Sequence, residues 1–175
     1  CDITFSRVDS DACMSTNDTV VAMASGASGI SLTGDELTDA LTELCAILAR
    51  QLVADAEGSH HDVKVTVTGA ISTEAAVAVA REVTRSNLVK TAIAGNDPNW
   101  GRILDAAGYS GAKFDPDKVE IAYDGMKAAK NGMGCQDMKG ELKLRKIAAK
   151  REFSVLVDLH GGKGEARLLT TDLTE

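Results

Sequence analysis

The chain has 175 residues, 44% of them hydrophobic, and a net charge of −7 at pH 7. That length suits one domain with a real core and is too short for two large ones. The acidic balance excludes nucleic acid as the main partner, since phosphates call for a basic face. Aromatic residues are only 3%, so the core has to come from Ala, Val, Leu and Ile.

Val20 to Ala24 is a short apolar run between Asn17-Asp18 and Ser25-Gly26, which predicts a buried strand. Thr33 or Asp35 can cap a helix running to about Asp55, with Leu37, Ala40, Leu41, Leu44, Cys45, Leu48 and Leu52 at three- and four-residue spacing. Val63, Val65 and Val67 alternate with Lys64, Thr66 and Thr68 as a half-buried strand does. Thr73, with Ala76 to Val83, predicts a second amphipathic helix, and Lys90 to Ala94 another strand. Asn99 can cap a short helix to Ala107 that Gly108 stops. Val119 to Tyr123 reads as a strand and residues 125–140, rich in Gly, Lys and Asn, as a loop or hairpin. A helix over Glu141 to Lys150 follows, then strands over Phe153 to Leu159 and Ala166 to Thr170. Helices and strands alternate throughout, so the class is α/β or α+β, with a main lobe and a smaller C-terminal lobe from about residue 115.

The four cysteines, Cys1, Cys13, Cys45 and Cys135, show no CxxC pair and no metal-finger spacing. Dispersed thiols, no apolar run of about 18 residues and no leader pattern together predict a cytoplasmic protein without a membrane span. His60 and His61 are adjacent, diverge on either a strand or a helix, and have no completing cluster, so no metal is expected. Gly26 to Gly29 and Gly161 to Gly164 are glycine-rich but fit neither a P-loop nor a dinucleotide fingerprint. The basic residues between Lys139 and Arg151 read as a solvated helix face with ion pairs to Glu141 and Glu152.

The most distinctive stretch is Gly95-Asn96-Asp97-Pro98-Asn99-Trp100-Gly101-Arg102, which holds the only tryptophan and one of two prolines. Water disfavours the indole, and a core strand disfavours Asp, Pro and two Asn. A packed loop beside a cleft satisfies both constraints, as does a helix-entry turn with a tryptophan plug. With Ile103 to Gly108 behind it, this stretch resembles the signature of the bifunctional ornithine acetyltransferase (glutamate N-acetyltransferase) family of arginine biosynthesis. Asp11 to Thr19, running on to Ala24 to Gly29, Asp55 to Gly58, Ser86 to Ala92 and Thr171 to Thr174 fall in the order that family shows.

The resemblance implies a layered αββα fold related to the N-terminal-nucleophile enzymes, made as a precursor that cuts itself before a threonine. That threonine becomes the nucleophile of the second (β) chain. It would lie upstream of Cys1, with the oxyanion hole in the first (α) chain and a tail carrying a helpful asparagine beyond Thr174. The 175 residues then correspond to most of one β subunit, inactive alone, with no catalytic residue of its own. The resemblance further implies an α-subunit partner, an α2β2 or larger assembly, and acetylornithine and glutamate as substrates. No cofactor is implied, although acetyl-CoA could serve as an acetyl donor. A scaffold domain and an amidase or aminopeptidase relative are the competing readings.

Glu57 is the main candidate site residue. Its charge at a helix end opposes the helix dipole, which a purely local role would not favour. In the family the matching glutamate holds the substrate, through the ammonium of the ornithine side. Ser15, Thr16, Asn17 and Asp18 could line the cleft or support the nucleophile, or simply cap a turn. Asn99 and Arg102 are further cleft candidates, with Arg102 either pairing a substrate carboxylate or locking the loop through Asp97 or Asp105. Cys1 could act with its own amino group as base, but the resemblance puts it inside the body of the subunit.

Overall fold

The alternating valines Val63, Val65 and Val67 are all buried in β1 (Asp62–Ala70), while Lys64 between them is exposed. The computed structural model describes residues 1–13 and 15–173, so Met14, Thr174 and Glu175 lie outside the described residues. β1 pairs in parallel with β5 (Glu152–Asp158) and antiparallel with β6 (Gly164–Thr171). β2 (Glu120–Tyr123), β3 (Met126–Lys130) and β4 (Met133–Gly134) extend the sheet beyond β5, in the order β4-β3-β2-β5-β1-β6. A strand from before residue 115 thus lies between two from after it, and both halves share one mixed sheet.

Among the described residues five α-helices accompany the sheet: α1 (Gly34–Ala54), α2 (Thr73–Arg85), α3 (Asn87–Ala94), α4 (Trp100–Gly108) and α5 (Met138–Ala148). Ala76, Val79, Ala80 and Val83 recur at one-turn spacing on α2 and are fully buried against β1 and β6. The two alanines let the helix backbone approach the sheet closely, and each buried valine contributes about 1.5–3 kcal/mol. Thr33 caps α1 in a reciprocal box with Glu36, Ser72 caps α2, and Asn99 caps α4 through the Arg102 N–H.

Residues 125–140 owe their Asn-Gly composition to two tight hairpins. Asp124-Gly125 joins β2 to β3 and Asn131-Gly132 joins β3 to β4, and all four residues have positive φ, as type I′ turns demand. Asp137 then caps α5 through the Gly140 N–H at 2.8 Å, three residues earlier than the sequence reading places the helix.

Two predicted strands are not strands. Lys90 to Ala94 lies in helix α3, capped by Ser86, with Val89, Lys90, Ala92 and Ile93 buried. A short apolar run does not distinguish helix from strand by itself, and packing against α2 and α4 decides it here. Val20 to Ala24 forms no ladder and stays exposed, Val21 at 66% and Met23 at 92%. A strand needs a neighbour for its backbone groups, and among the described residues none reaches this segment. α1 forms where the spacing predicts, yet only Ala49 and Val53 are buried on it, and Leu37, Leu41, Leu44, Ile47, Leu48 and Leu52 remain exposed.

Candidate functional site

α1 delivers Glu57 to the molecule's surface. The helix stops at Ala54, and the chain turns from Ala56 to Ser59, whose N–H donates to the Ala56 carbonyl at 3.1 Å. Gly58 takes φ +68° in that turn, and Glu57 beside it is exposed.

Behind the turn lies a buried polar cluster. Asp172, with its side chain 1% exposed, accepts through Oδ1 from the N–H groups of His60 (2.9 Å) and His61 (3.0 Å). Its Oδ2 accepts from Nδ1 of His61 at 2.9 Å, because a carboxylate can only accept. The Ser59 hydroxyl shares one hydrogen between Asp172 Oδ1 (3.2 Å) and the His61 carbonyl (3.1 Å). Nε2 of His61 reaches the Asn96 side chain at 3.0 Å, which ties the turn to the start of the Asn96–Arg102 loop. From the other side Arg151 donates to the carbonyls of Ser59 and Ala54 and pairs with Asp62 at 3.0 Å.

Next to this cluster the ammonium of Lys90, 1% exposed, donates to Thr170 Oγ1 (3.0 Å) and the Thr171 carbonyl (2.6 Å). Thr170 passes its own hydrogen to the Thr84 carbonyl at 3.1 Å. Asp9, also buried, accepts from Arg85 at 2.9 Å and lies 3.6 Å from Arg81, while Val8 bridges to Leu169. Burial pushes Lys90 below the usual lysine value, against the pull of Asp9, Asp172 and Asp11.

Burial also works to raise the Asp172 pKa, but the His61 ring and the two backbone N–H groups outweigh it, and the net direction is down from 3.8. A depressed folded value means that its stabilisation is present above the unfolded pKa and is lost as pH falls through the folded one. Urea midpoints of the full-length protein between pH ~5 and ~3 should therefore fall more steeply for wild type than for Asp172→Asn. Parallel slopes would contradict the paired carboxylate.

Three stretches far apart in the chain thus meet at one place: the turn from Asp55 through His61, the stretch from Lys90 of α3 to Asn96, and the end of β6. The family model described as ArgJ family matches residues 1–175. The chain belongs to the ArgJ family. It is 46% identical over 173 residues to the arginine biosynthesis bifunctional protein ArgJ of Thermobifida fusca, covering 99% of this chain and 44% of that protein. The counterpart from Streptomyces coelicolor is 44% identical over 172 residues, covering 98% and 44%. The crystal structure of the ArgJ protein from Bacillus halodurans superposes with a TM-score of 0.91 at 36% identity, over 99% of this chain and 84% of that one. The chain therefore spans less than half the length of the curated relatives it matches, and its layered α/β fold is that of ArgJ.

The other candidate residues of this ArgJ-family chain lie elsewhere. Ser15, Asn17 and Asp18 form a local exposed turn in which the Ser15 hydroxyl accepts from the Asn17 and Asp18 N–H groups, and Thr16 is exposed beside them. Asn99 uses both ends of its amide, accepting from Arg102 N at 3.1 Å and donating to Asp97 at 3.0 Å. Arg102 donates to the Leu88 carbonyl (2.9 Å) and the Thr91 hydroxyl (3.3 Å), which fastens α4 to α3 rather than pairing with Asp97 or Asp105. Trp100 is half-buried, its indole lying over Gly134, where a Cβ would stand 3.1 Å from Nε1. Cys1 is exposed, and so is the basic face of α5. The ion pairs run from Lys150 to Asp124 and from Arg50 to Glu152. No helix of the described residues is long and apolar enough to cross a membrane.

His61, Asn96, Arg151, Lys90 and Asp172 carry the cluster, and sequence reasoning does not single them out. Two had a signal. His61 is in phase with Val63, Val65 and Val67, the inward face of the strand that follows it. Lys90 follows Val89 and lies three residues before Ile93, on the buried side of its helix.

Proposed function

We propose that this chain is the β-subunit portion of an acetyltransferase that moves an acetyl group from N2-acetylornithine to glutamate. The observation that carries the reading is the match of the whole chain to the ArgJ family, whose curated relatives are named arginine biosynthesis bifunctional proteins. An exposed carboxylate on a turn backed by the buried cluster, Glu57, supports it.

In this reading a threonine encoded upstream of Cys1 attacks the acetyl carbonyl through Oγ. The carbon–nitrogen bond to ornithine breaks, and ornithine leaves with a proton on its amine. The amine of glutamate then attacks the acetyl-threonine ester, forming N-acetylglutamate and returning the proton to the threonine hydroxyl. Glu57 accepts a charge-assisted hydrogen bond from the ammonium of the ornithine side chain. The reaction needs no cofactor, and acetyl-CoA is the alternative acetyl donor. The chain alone would be inactive.

The partner in this proposal is the α portion of the same precursor, assembled as α2β2 or larger in the cytoplasm. The open apolar face of α1, with Leu41, Leu44 and Leu48, together with exposed Val20, Val21 and Met23, is a surface of the kind that a partner covers. The relatives' greater length supplies a candidate for that cover.

The test is expression of the complete gene, including what lies upstream of Cys1, with transfer from N2-acetylornithine to glutamate assayed beside acetyl-CoA. Transfer by a two-chain product is expected. A folded product without transfer overturns the reading in favour of a scaffold, and amide hydrolysis in its place would favour an amidase.

A further inference from the structure

We propose that Asp172 is the positioning residue for Glu57: it fixes the exit of the turn so that the Glu57 carboxylate is presented in one orientation to the substrate amine. This deepens, and rests on, the reading of Glu57 as the substrate contact.

α1, which leads into the turn, buries only Ala49 and Val53, both in its last two turns, which places the start of the arc but not the chain beyond Ala54. The turn is held from its feet instead. Arg151 grips the carbonyls of Ala54 and Ser59, on either side of the Asp55–Gly58 arc. Asp172 grips the chain just beyond, through the N–H groups of His60 and His61 and the ring of His61. An acceptor-only carboxylate matches this set of donors, and a carboxamide at the same place would offer the His61 ring a donor in place of one acceptor.

Asp172 is itself rigidly placed. It follows β6 directly, where the preceding Thr171 carbonyl is held by Lys90 and the next N–H, that of Leu173, lies 3.5 Å from the Lys90 carbonyl. The exposed Glu57 therefore stands on an arc with two charged supports, Asp172 buried and Arg151 at the surface, an arrangement that keeps a surface carboxylate pre-oriented. Through Nε2 of His61 the same support reaches Asn96, so the turn and the Asn96–Arg102 loop share one brace.

The test uses the full-length, self-processed enzyme and steady-state kinetics with N2-acetylornithine and glutamate. Asp172→Asn is expected to raise KM for N2-acetylornithine about tenfold while kcat stays within about twofold. In a Glu57→Gln background the same change should add nothing further, because the oriented group is already gone. An unchanged KM in Asp172→Asn, or a full additional effect on top of Glu57→Gln, overturns the positioning role while leaving Glu57 as the contact. A Glu57→Gln enzyme with wild-type kinetics overturns the Glu57 reading itself, and the positioning role with it. If Asp172→Asn does not fold, Ser59→Ala and His61→Gln take its place. Each should raise the same KM by about two- to fivefold, and wild-type KM in both overturns the proposal.

Discussion

Lys90→Ala is expected to lower the stability of the full-length protein by about 3–5 kcal/mol, read as a lower urea midpoint. The side chain is 1% exposed and runs from α3 to the end of β6, where its ammonium donates to Thr170 Oγ1 and the Thr171 carbonyl. Truncation leaves a cavity and leaves the buried Thr171 carbonyl with only the long 3.4 Å contact of the Thr170 hydroxyl. The Thr170 hydroxyl keeps its bond to the Thr84 carbonyl, so the loss concentrates at Thr171. Lys90→Met is the informative companion. It keeps most of the volume and relieves the cost of burying a cation, so it should lose only about 1–3 kcal/mol. A Lys90→Ala midpoint equal to wild type would mean that this side chain is not buried in the assembled protein.

The second large effect falls on activity. Glu57→Ala in the full-length enzyme should lower kcat/KM for N2-acetylornithine by about 10- to 150-fold, the worth of one charge-assisted hydrogen bond, mainly through KM. Thermal stability should hardly change, because Glu57 is exposed at the crest of its turn. The contrast between the two variants would separate two roles: Lys90 as a buried support, and Glu57, on the function proposed here, as the ligand contact. A Glu57→Ala enzyme with wild-type kcat/KM would remove Glu57 from the site and leave the fold assignment untouched.

Much of this was legible in the sequence. The caps at Thr33 and Asn99 and the valine alternation of β1 each act over a few residues, and each formed where the pattern places it. The stretches Asp11–Thr19 with Ala24–Gly29, Asp55–Gly58, Ser86–Ala92, Gly95–Gly108 and Thr171–Thr174 carried the family. The two strands that failed share a cause. Both are short apolar runs whose state depends on neighbours: α2 and α4 in one case, and in the other a pairing strand absent among the described residues.

What tertiary structure alone decided is the brace behind Glu57. His61 and Asp172 are 111 residues apart, Lys90 and Thr170 are 80 apart, and His61 and Asn96 are 35 apart. Local propensity carries no information over such separations, and a lone His, Asp or Lys in a sequence has a solvated role as its default. Their burial is set by the order of the sheet, which lays the end of β6 beside the start of β1. The sequence by itself determined helices α1, α2, α4 and α5, most strands and the family. The pairing of Asp62 with Thr171 across β1 and β6 decided which polar residues lost their water, and hence which of them had to find one another.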